Sequence, residues 1–362
     1  MIFLTRRELY EQASRYPHYI LVASDFSGHR LDWLMQIKSN LDKFNKRFIV
    51  ICEDASRLKG LHISVLNKVL VYESRSGLSF INEFVGRKTQ HQIMFWDADD
   101  QLRLLLFAQF KARCVIMRPY LTEYKLMSIL RYWTKMMIIL YFVLFDRHNV
   151  ALLGIAEAKP HFLKKHWVDE PMGITDDELI LVHKPSSQKF RSDISRNMRV
   201  LIPGYITLRK NPLIAISACI ELRKKHGLSI ELTFCGTIDA NLRKNIEKLN
   251  LEWVHLVDGY LERKQFLKAI GASDFILLPY RNRGSSGIVL ESLALAKVVV
   301  LFGNRHWQNL SRNTKGQLFL LAHGKSGIVR GFLKLQSYQL VSSSYRISND
   351  DRKTALTFLT SS

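Results

Sequence analysis

Residues 273–304, SDFILLPYRNRGSSGIVLESLALAKVVVLFGN, decide the fold of this chain. The apolar run 275–278 (FILL) predicts a short buried strand. Residues 281–287 read as a polar loop rich in Arg, Gly and Ser. A helix is predicted from there, carrying one acidic residue, Glu291, and 298–301 (VVVL) predicts a second, β-branched strand. A loop of small residues that opens a helix presents backbone N–H groups and the positive end of the helix dipole, which suits a phosphate. Glu291 follows within about the first turn, where its carboxylate suits the hydroxyls of a ribose.

The same strand–helix rhythm extends in both directions. Toward the amino terminus of this half, strands are predicted at 199–202, 229–235 (SIELTFC) and 253–257. Helices are predicted near 211–226, 240–249 and 262–272. In the first half, 19–23 (YILVA), 47–52 (RFIVIC), 69–72 (VLVY), 92–96 (QIMFW), 113–117 (RCVIM) and 149–154 (NVALLG) read as strands, with a helix beginning near Leu31. Short apolar strands separated by helical patterns predict βαβ units and parallel, doubly wound sheets. Residues 182–196, VHKPSSQKFRSDISR, are polar with no apolar period and read as a linker. The predicted organisation is a first domain at 1–181, the linker, a second domain at 197–345, and a carboxyl-terminal helix within 346–362 that crosses back onto the first domain. Ligands of open α/β sheets bind beyond the carboxyl ends of the strands, so the reaction is expected between the two sheets.

The 362 residues suit two domains, and with 47 % hydrophobic residues each can bury a core. The formal charge is +21, from 53 Lys+Arg against 32 Asp+Glu, which implies an anionic partner: nucleic acid, anionic headgroups or phosphorylated substrates. Cys52, Cys114, Cys219 and Cys235 show no C-x-x-C pair, and a reduced, cytoplasmic compartment is the expectation. The amino terminus, MIFLTRRELYEQ, has charges where a signal peptide needs its apolar region. The longest apolar run, 136–145 (MMIILYFVLF), is too short to span a bilayer and reads either as a buried helix or as a helix lying in a membrane interface.

Residues 203–225 (PGYITLRKNPLIAISACIELRKK) and 234–280, with their FCG, DGYLERKQFLKAI and ASDFILLPY segments, resemble the second domain of GT-B glycosyltransferases of the retaining family 4. That resemblance implies an α/β fold of two Rossmann-like doubly wound domains facing across a cleft. It implies transfer of a sugar from a nucleotide-sugar donor to a saccharide or lipid-linked acceptor, as in cell-surface polysaccharide biosynthesis, with retention at the anomeric carbon. It covers about 150 residues of the second half and the first half only in layout.

Residue by residue, Lys210 falls nearest the family's diphosphate-binding lysine, with Arg209 beside it. The family's preceding arginine is Tyr205 here, a position Arg209 is able to serve. Cations there offset the charge that builds on the leaving diphosphate. The turn after the strand at 253–257 implies base contacts, with Tyr260 among the candidates. Glu291 matches the second glutamate of the family's Glu-x7-Glu pattern, and the first is replaced by Arg283. Ser285, Ser286, Gly287, Ile288 and Val289 match the phosphate-cradling turn. No metal or other cofactor is implied.

In the first half, Gly28 and His29 lie where the family keeps a Gly-rich loop; a plain turn with a surface histidine is the other reading. FWDADD, 95–100, ends a predicted strand. Asp97 and Asp99 alternate with Ala98, so on an extended segment they share one side, as a base or acceptor-orienting pair. The same aspartates also suit the N-cap of a helix at 101–110. Residues 124–145 mix Lys125, Arg131 and Lys135 with Tyr132 and Trp133, which fits either a buried crossover helix or docking on the inner face of an anionic membrane. Two rivals remain: a UDP-sugar epimerase, and a catalytically silent scaffold that binds a partner or glycan, favoured by Arg283 and Tyr205. No nucleic-acid-binding module is found.

Overall fold

The structure is a computed structural model that describes residues 1–15, 18–26, 30–56, 58–59, 66, 68–74, 79–85, 91–117, 126–154, 163–169, 197–280, 287–303, 305–314, 316–336 and 358–359. The chain forms two compact units, 1–171 with 351–362, and 172–350. The predicted linker at 182–196 lies outside the described residues.

The first unit contains an eight-stranded parallel sheet. Its strands are β1 (Ile2–Phe3), β2 (Tyr19–Ala23), β3 (Phe48–Cys52), β4 (Leu70–Glu73), β5 (Gln92–Phe95), β6 (Ala112–Ile116), β7 (Asn149–Gly154) and β8 (Trp167–Asp169). Its helices are α1 (Arg6–Arg15), α2 (Arg30–Lys43), α3 (Ile81–Val85), α4 (Leu102–Leu106) and α5 (Leu126–Leu144). The strand order is β1-β4-β3-β2-β5-β6-β7-β8. Every residue of β2 and β3 is buried, because a parallel sheet covered on both faces needs continuous apolar runs rather than alternation. One face of the core joins Ile20, Ile49, Ile93 and Cys114 to Ile139 and Phe142 of α5. The carboxyl terminus belongs to this unit. Leu359 is fully buried, and Arg113 Nη1 donates to the carbonyls of Phe358 at 3.4 Å and Leu359 at 3.2 Å.

The second unit contains a six-stranded parallel sheet: β9 (Met198–Pro203), β10 (Ile230–Gly236), β11 (Val254–Asp258), β12 (Phe275–Leu278), β13 (Val298–Phe302) and β14 (Leu318–Leu321), in the order β11-β10-β9-β12-β13-β14. Its helices are α6 (Pro212–His226), α7 (Ala240–Glu247), α8 (Arg263–Ala272), α9 (Gly287–Ala294), α10 (Arg305–Asn313) and α11 (Lys325–Gln336). Local sequence explains where the helices start and stop. Pro212 occupies the first turn of α6, four basic or histidine residues fill its last turn, and Gly227 ends it at φ +67°. Asp239 caps α7 by accepting from the N–H groups of Asn241 and Leu242, and Glu262 with Gln265 forms a capping box on α8.

Both sheets reverse strand order beside their first long strand, at β2/β5 and at β9/β12. In doubly wound sheets such a switch point opens the crevice where ligands bind. Two differences from the sequence reading have plain causes. The helix expected at 101–110 is a 3₁₀ turn, Ala98–Gln101, followed by the five-residue α4, which stops at Phe107. β1 and β8 are edge strands of two and three residues, too short to show a pattern.

Candidate functional site

The site in the second unit is built around two glycines. Gly204 follows β9 with φ +88°, and Gly236 ends β10 with φ +126°. A Cβ on Gly236 would stand 2.5 Å from the carbonyl oxygen of Gly204, so the two backbones approach as only glycine permits. A Cβ on Gly204 would stand 2.9 Å from Lys210 Nζ and 3.0 Å from Ile288 Cδ1. Thus the turn after β9, the ammonium of Lys210 and the first turn of α9 meet at the carboxyl end of β9.

Lys210 ends a 3₁₀ turn, Leu208–Lys210, and is 4 % exposed. Its Nζ donates to the Pro203 carbonyl and lies 5.4 Å from the centroid of the Tyr280 ring. The next residue, Asn211, is left-handed at φ 48°, and its buried Nδ2 donates to the Pro279 carbonyl at 2.7 Å. That bond ties the turn after β9 to the end of β12, across the switch point. Burial, reinforced by the neighbouring Arg209 charge, lowers the Lys210 ammonium to about 7. Arg209 itself is exposed.

The depressed lysine has a consequence for stability. Its folded pKa lies below its ordinary 10.5, so the unfolded chain binds the extra proton between those values and stability rises with pH from about 7 upward. Lys135, which burial lowers to about 8, acts in the same direction. Urea unfolding at pH 7 and pH 10 should show a smaller gain in Lys210→Met than in the wild type. An equal gain in both would refute the burial of a charged lysine.

Gly287, Ile288, Val289 and Glu291 all lie in α9 and are buried. Glu291, 3 % exposed, is ion-paired with Nη1 of Arg263, the first residue of the neighbouring α8. Tyr260, in the loop after β11, is 47 % exposed. Asp258 serves the scaffold, its carboxylate accepting from Ile238 N at 2.9 Å and from Arg243 Nη1 at 2.8 Å. Arg283, Ser285 and Ser286 lie outside the described residues. Arg263 was not visible as a site residue in the sequence. Its only signal is a basic side chain at the start of a helix expected beside the one bearing Glu291.

In the first unit, Asp97 and Asp99 stand on a turn, not on an extended segment, and bond to different partners, although the charge of Asp97 also reaches Lys135, the partner of Asp99. The backbone turns at Asp97 (φ −131°, ψ 77°) into the 3₁₀ segment, so the strict alternation of an extended strand does not continue to Asp99. Asp97 pairs with Arg30 Nη2 at 2.6 Å, whereas Asp99 accepts from the Met117 N–H at 2.7 Å and pairs with Lys135. Neither caps the turn as an N-cap: Asp97 makes no side-chain capping bond. Arg30, the first residue of α2, also meets Ser24 Oγ at 3.1 Å, Asp25 at 2.8 Å and Asp100 at 3.0 Å. Burial would lower its pKa, but Asp97 and Asp25 outweigh that and raise it. The cluster closes the carboxyl ends of β2 and β5, the switch point of this sheet. Gly28 and His29 lie outside the described residues. Among the described residues, no group of three or more His, Cys, Asp or Glu side chains is arranged to hold a metal.

No family model matches the chain, and no curated protein sequence matches it. Solved structures do resemble it. A glycosyltransferase from Rickettsia africae is 14 % identical, with a TM-score of 0.59 over 88 % of each chain. WaaG, a glycosyltransferase involved in lipopolysaccharide biosynthesis, is 12 % identical with a TM-score of 0.52, covering 88 % of this chain and 90 % of its own. A trehalose-6-phosphate structure from E. coli bound with UDP-2-fluoro glucose is 12 % identical with a TM-score of 0.55, covering 89 % of this chain and 92 % of its own. At such identities the likeness concerns the fold, and the fold of this chain is the two-sheet α/β architecture of GT-B glycosyltransferases.

Proposed function

We propose that this chain is a glycosyltransferase that moves a sugar from a nucleotide-sugar donor to a hydroxyl of a saccharide or lipid-linked saccharide, with retention of anomeric configuration. The observation that carries the reading is the convergence of Lys210, the Gly204 turn and the first turn of α9 at a switch point, with Glu291 one turn further along the helix. Backbone N–H groups at the start of α9 would receive the diphosphate, and Glu291 the ribose. Lys210 would hold the leaving phosphate, where a fixed cation lowers the barrier most as charge accumulates. Because its pKa rests near 7, donor binding above that pH should take up a proton.

Incubating the protein with labelled UDP-, GDP-, ADP- and TDP-sugars and saccharide acceptors tests the reaction. Transfer from one donor, with the product's anomeric configuration matching the donor's by NMR, is the expected result. A second reading, a silent scaffold, is favoured by Tyr205 at the position of a phosphate-binding arginine. Donor binding with neither transfer nor hydrolysis would select it.

A further inference from the structure

We propose that the outer face of α5 docks on an anionic membrane surface with the helix lying parallel to the bilayer. Of its nineteen residues only Ile139 and Phe142 are buried. Leu126, Leu130, Trp133, Met137, Tyr141 and Leu144 are 71, 51, 61, 62, 37 and 69 % exposed. Their spacing of four, three, four, four and three places them on one stripe, while Lys135, Ile139 and Phe142 face the opposite way. Phe107 is also 75 % exposed, and its neighbour Ala108 lies near the helix's carboxyl end, accepting at its carbonyl from Arg147 Nη2 at 3.0 Å.

By length and composition α5 is able to cross a membrane. Its topology forbids that. The helix is the crossover between β6 and β7, which are parallel neighbours paired from Arg113↔Asn149 to Ile116↔Leu152. Both ends therefore return to one sheet, and Lys135 on its inner side is paired with Asp99. A helix held in this way presents its stripe to a surface from outside. Leucine and methionine can enter the acyl boundary, while Trp133 and Tyr141 suit the headgroup level.

Charge selects the occupant. The chain carries +21. Two copies would repel through that field, whereas an anionic bilayer attracts it. Arg131, on the flank of α5 beside the stripe, is exposed, and the acidic Asp146 just beyond the helix is paired with Lys111 at 2.6 Å. The inference rests on α5 and its surroundings, not on the donor site, so membrane docking and donor binding fail or succeed separately.

Flotation of the full chain with phosphatidylcholine vesicles, with and without phosphatidylglycerol, tests it. Binding is expected only with phosphatidylglycerol, weakening as salt rises. Leu130→Glu with Met137→Glu should weaken binding about a hundredfold, because two anchors are lost and two like charges face the lipid. Both positions are exposed, so the melting temperature should hold. As a milder check, quenching of tryptophan emission by brominated lipid should fall in Trp133→Phe. Absence of flotation, or flotation indifferent to these substitutions, would overturn the proposal. A dimer in solution dissolved by Leu130→Glu with Met137→Glu would overturn it too, assigning the face to a second copy.

Discussion

Gly236→Ala is expected to destabilise the second unit by roughly 2–6 kcal/mol, combining strained positive φ with overpacking against backbone. The glycine stands at φ +126°, and the added carbon would meet the Gly204 oxygen at 2.5 Å and its carbonyl carbon at 2.9 Å. Neither atom belongs to a side chain that can rotate away. Relief requires the turn after β9 to move, and Lys210 and Ile288 both lie against that turn. Donor binding should therefore be lost together with stability, and urea unfolding alongside nucleotide titration would read both. Gly227→Ala is the matched control. It also has positive φ, +67°, but a Cβ there meets nothing within 4 Å, so only strain of about 1 kcal/mol is expected and binding should persist. Equal losses in the two variants would remove the case for a close backbone approach.

Glu291→Ala is expected to cost about 3 kcal/mol, the lower end of the range for breaking a buried ion pair. The carboxylate is 3 % exposed, but the side chain of its Arg263 partner is 24 % exposed, so water partly solvates the guanidinium when the carboxylate is removed. Glu291→Gln keeps the shape and should cost less, while still weakening donor affinity at least about tenfold if the carboxylate binds ribose. Arg263→Met combined with Glu291→Leu should recover most of the lost stability without recovering binding, which separates the structural duty of the pair from its ligand duty. A stability loss in Glu291→Ala below about 1 kcal/mol would mean that the pair does not hold α8 against α9.

The strands were the most legible part of this protein, for a physical reason. A parallel strand covered on both faces must be apolar throughout, so Tyr19–Ala23, Asn149–Gly154 and Phe275–Leu278 stand out as uninterrupted runs with their observed ends. Leu318–Leu321, between Gly316 and Gly324, is a strand of only four residues, and with α11 it lies beyond the elements predicted from sequence. Lys210 is legible only through resemblance, since a lysine after a strand is common, whereas Glu291 is marked by its place just after a loop of small residues. The meeting of Lys210 with α9 depends on β9 and β12 being neighbours, an arrangement set by sheet order and not by local pattern. Arg263 is hidden for the same reason, its partner lying 28 residues away on another helix. The partners of the FWDADD aspartates are not legible in the alternation of an extended backbone, because the chain turns at Asp97. The 136–145 run reads as helical and lies within α5 to Leu144, but which of its faces meets solvent follows from the α5 crossover as a whole.

The central claim is that the turn after β9 and the start of α9 hold a nucleotide sugar. A thermal-shift panel of UDP-, GDP-, ADP- and TDP-sugars on the wild type and on Glu291→Gln tests it most directly, since a ligand that binds only the folded state raises Tm by mass action. The account predicts that donors of one base raise Tm in the wild type and that the rise shrinks or vanishes in the variant. No rise with any donor, or the same rise in both proteins, would contradict it.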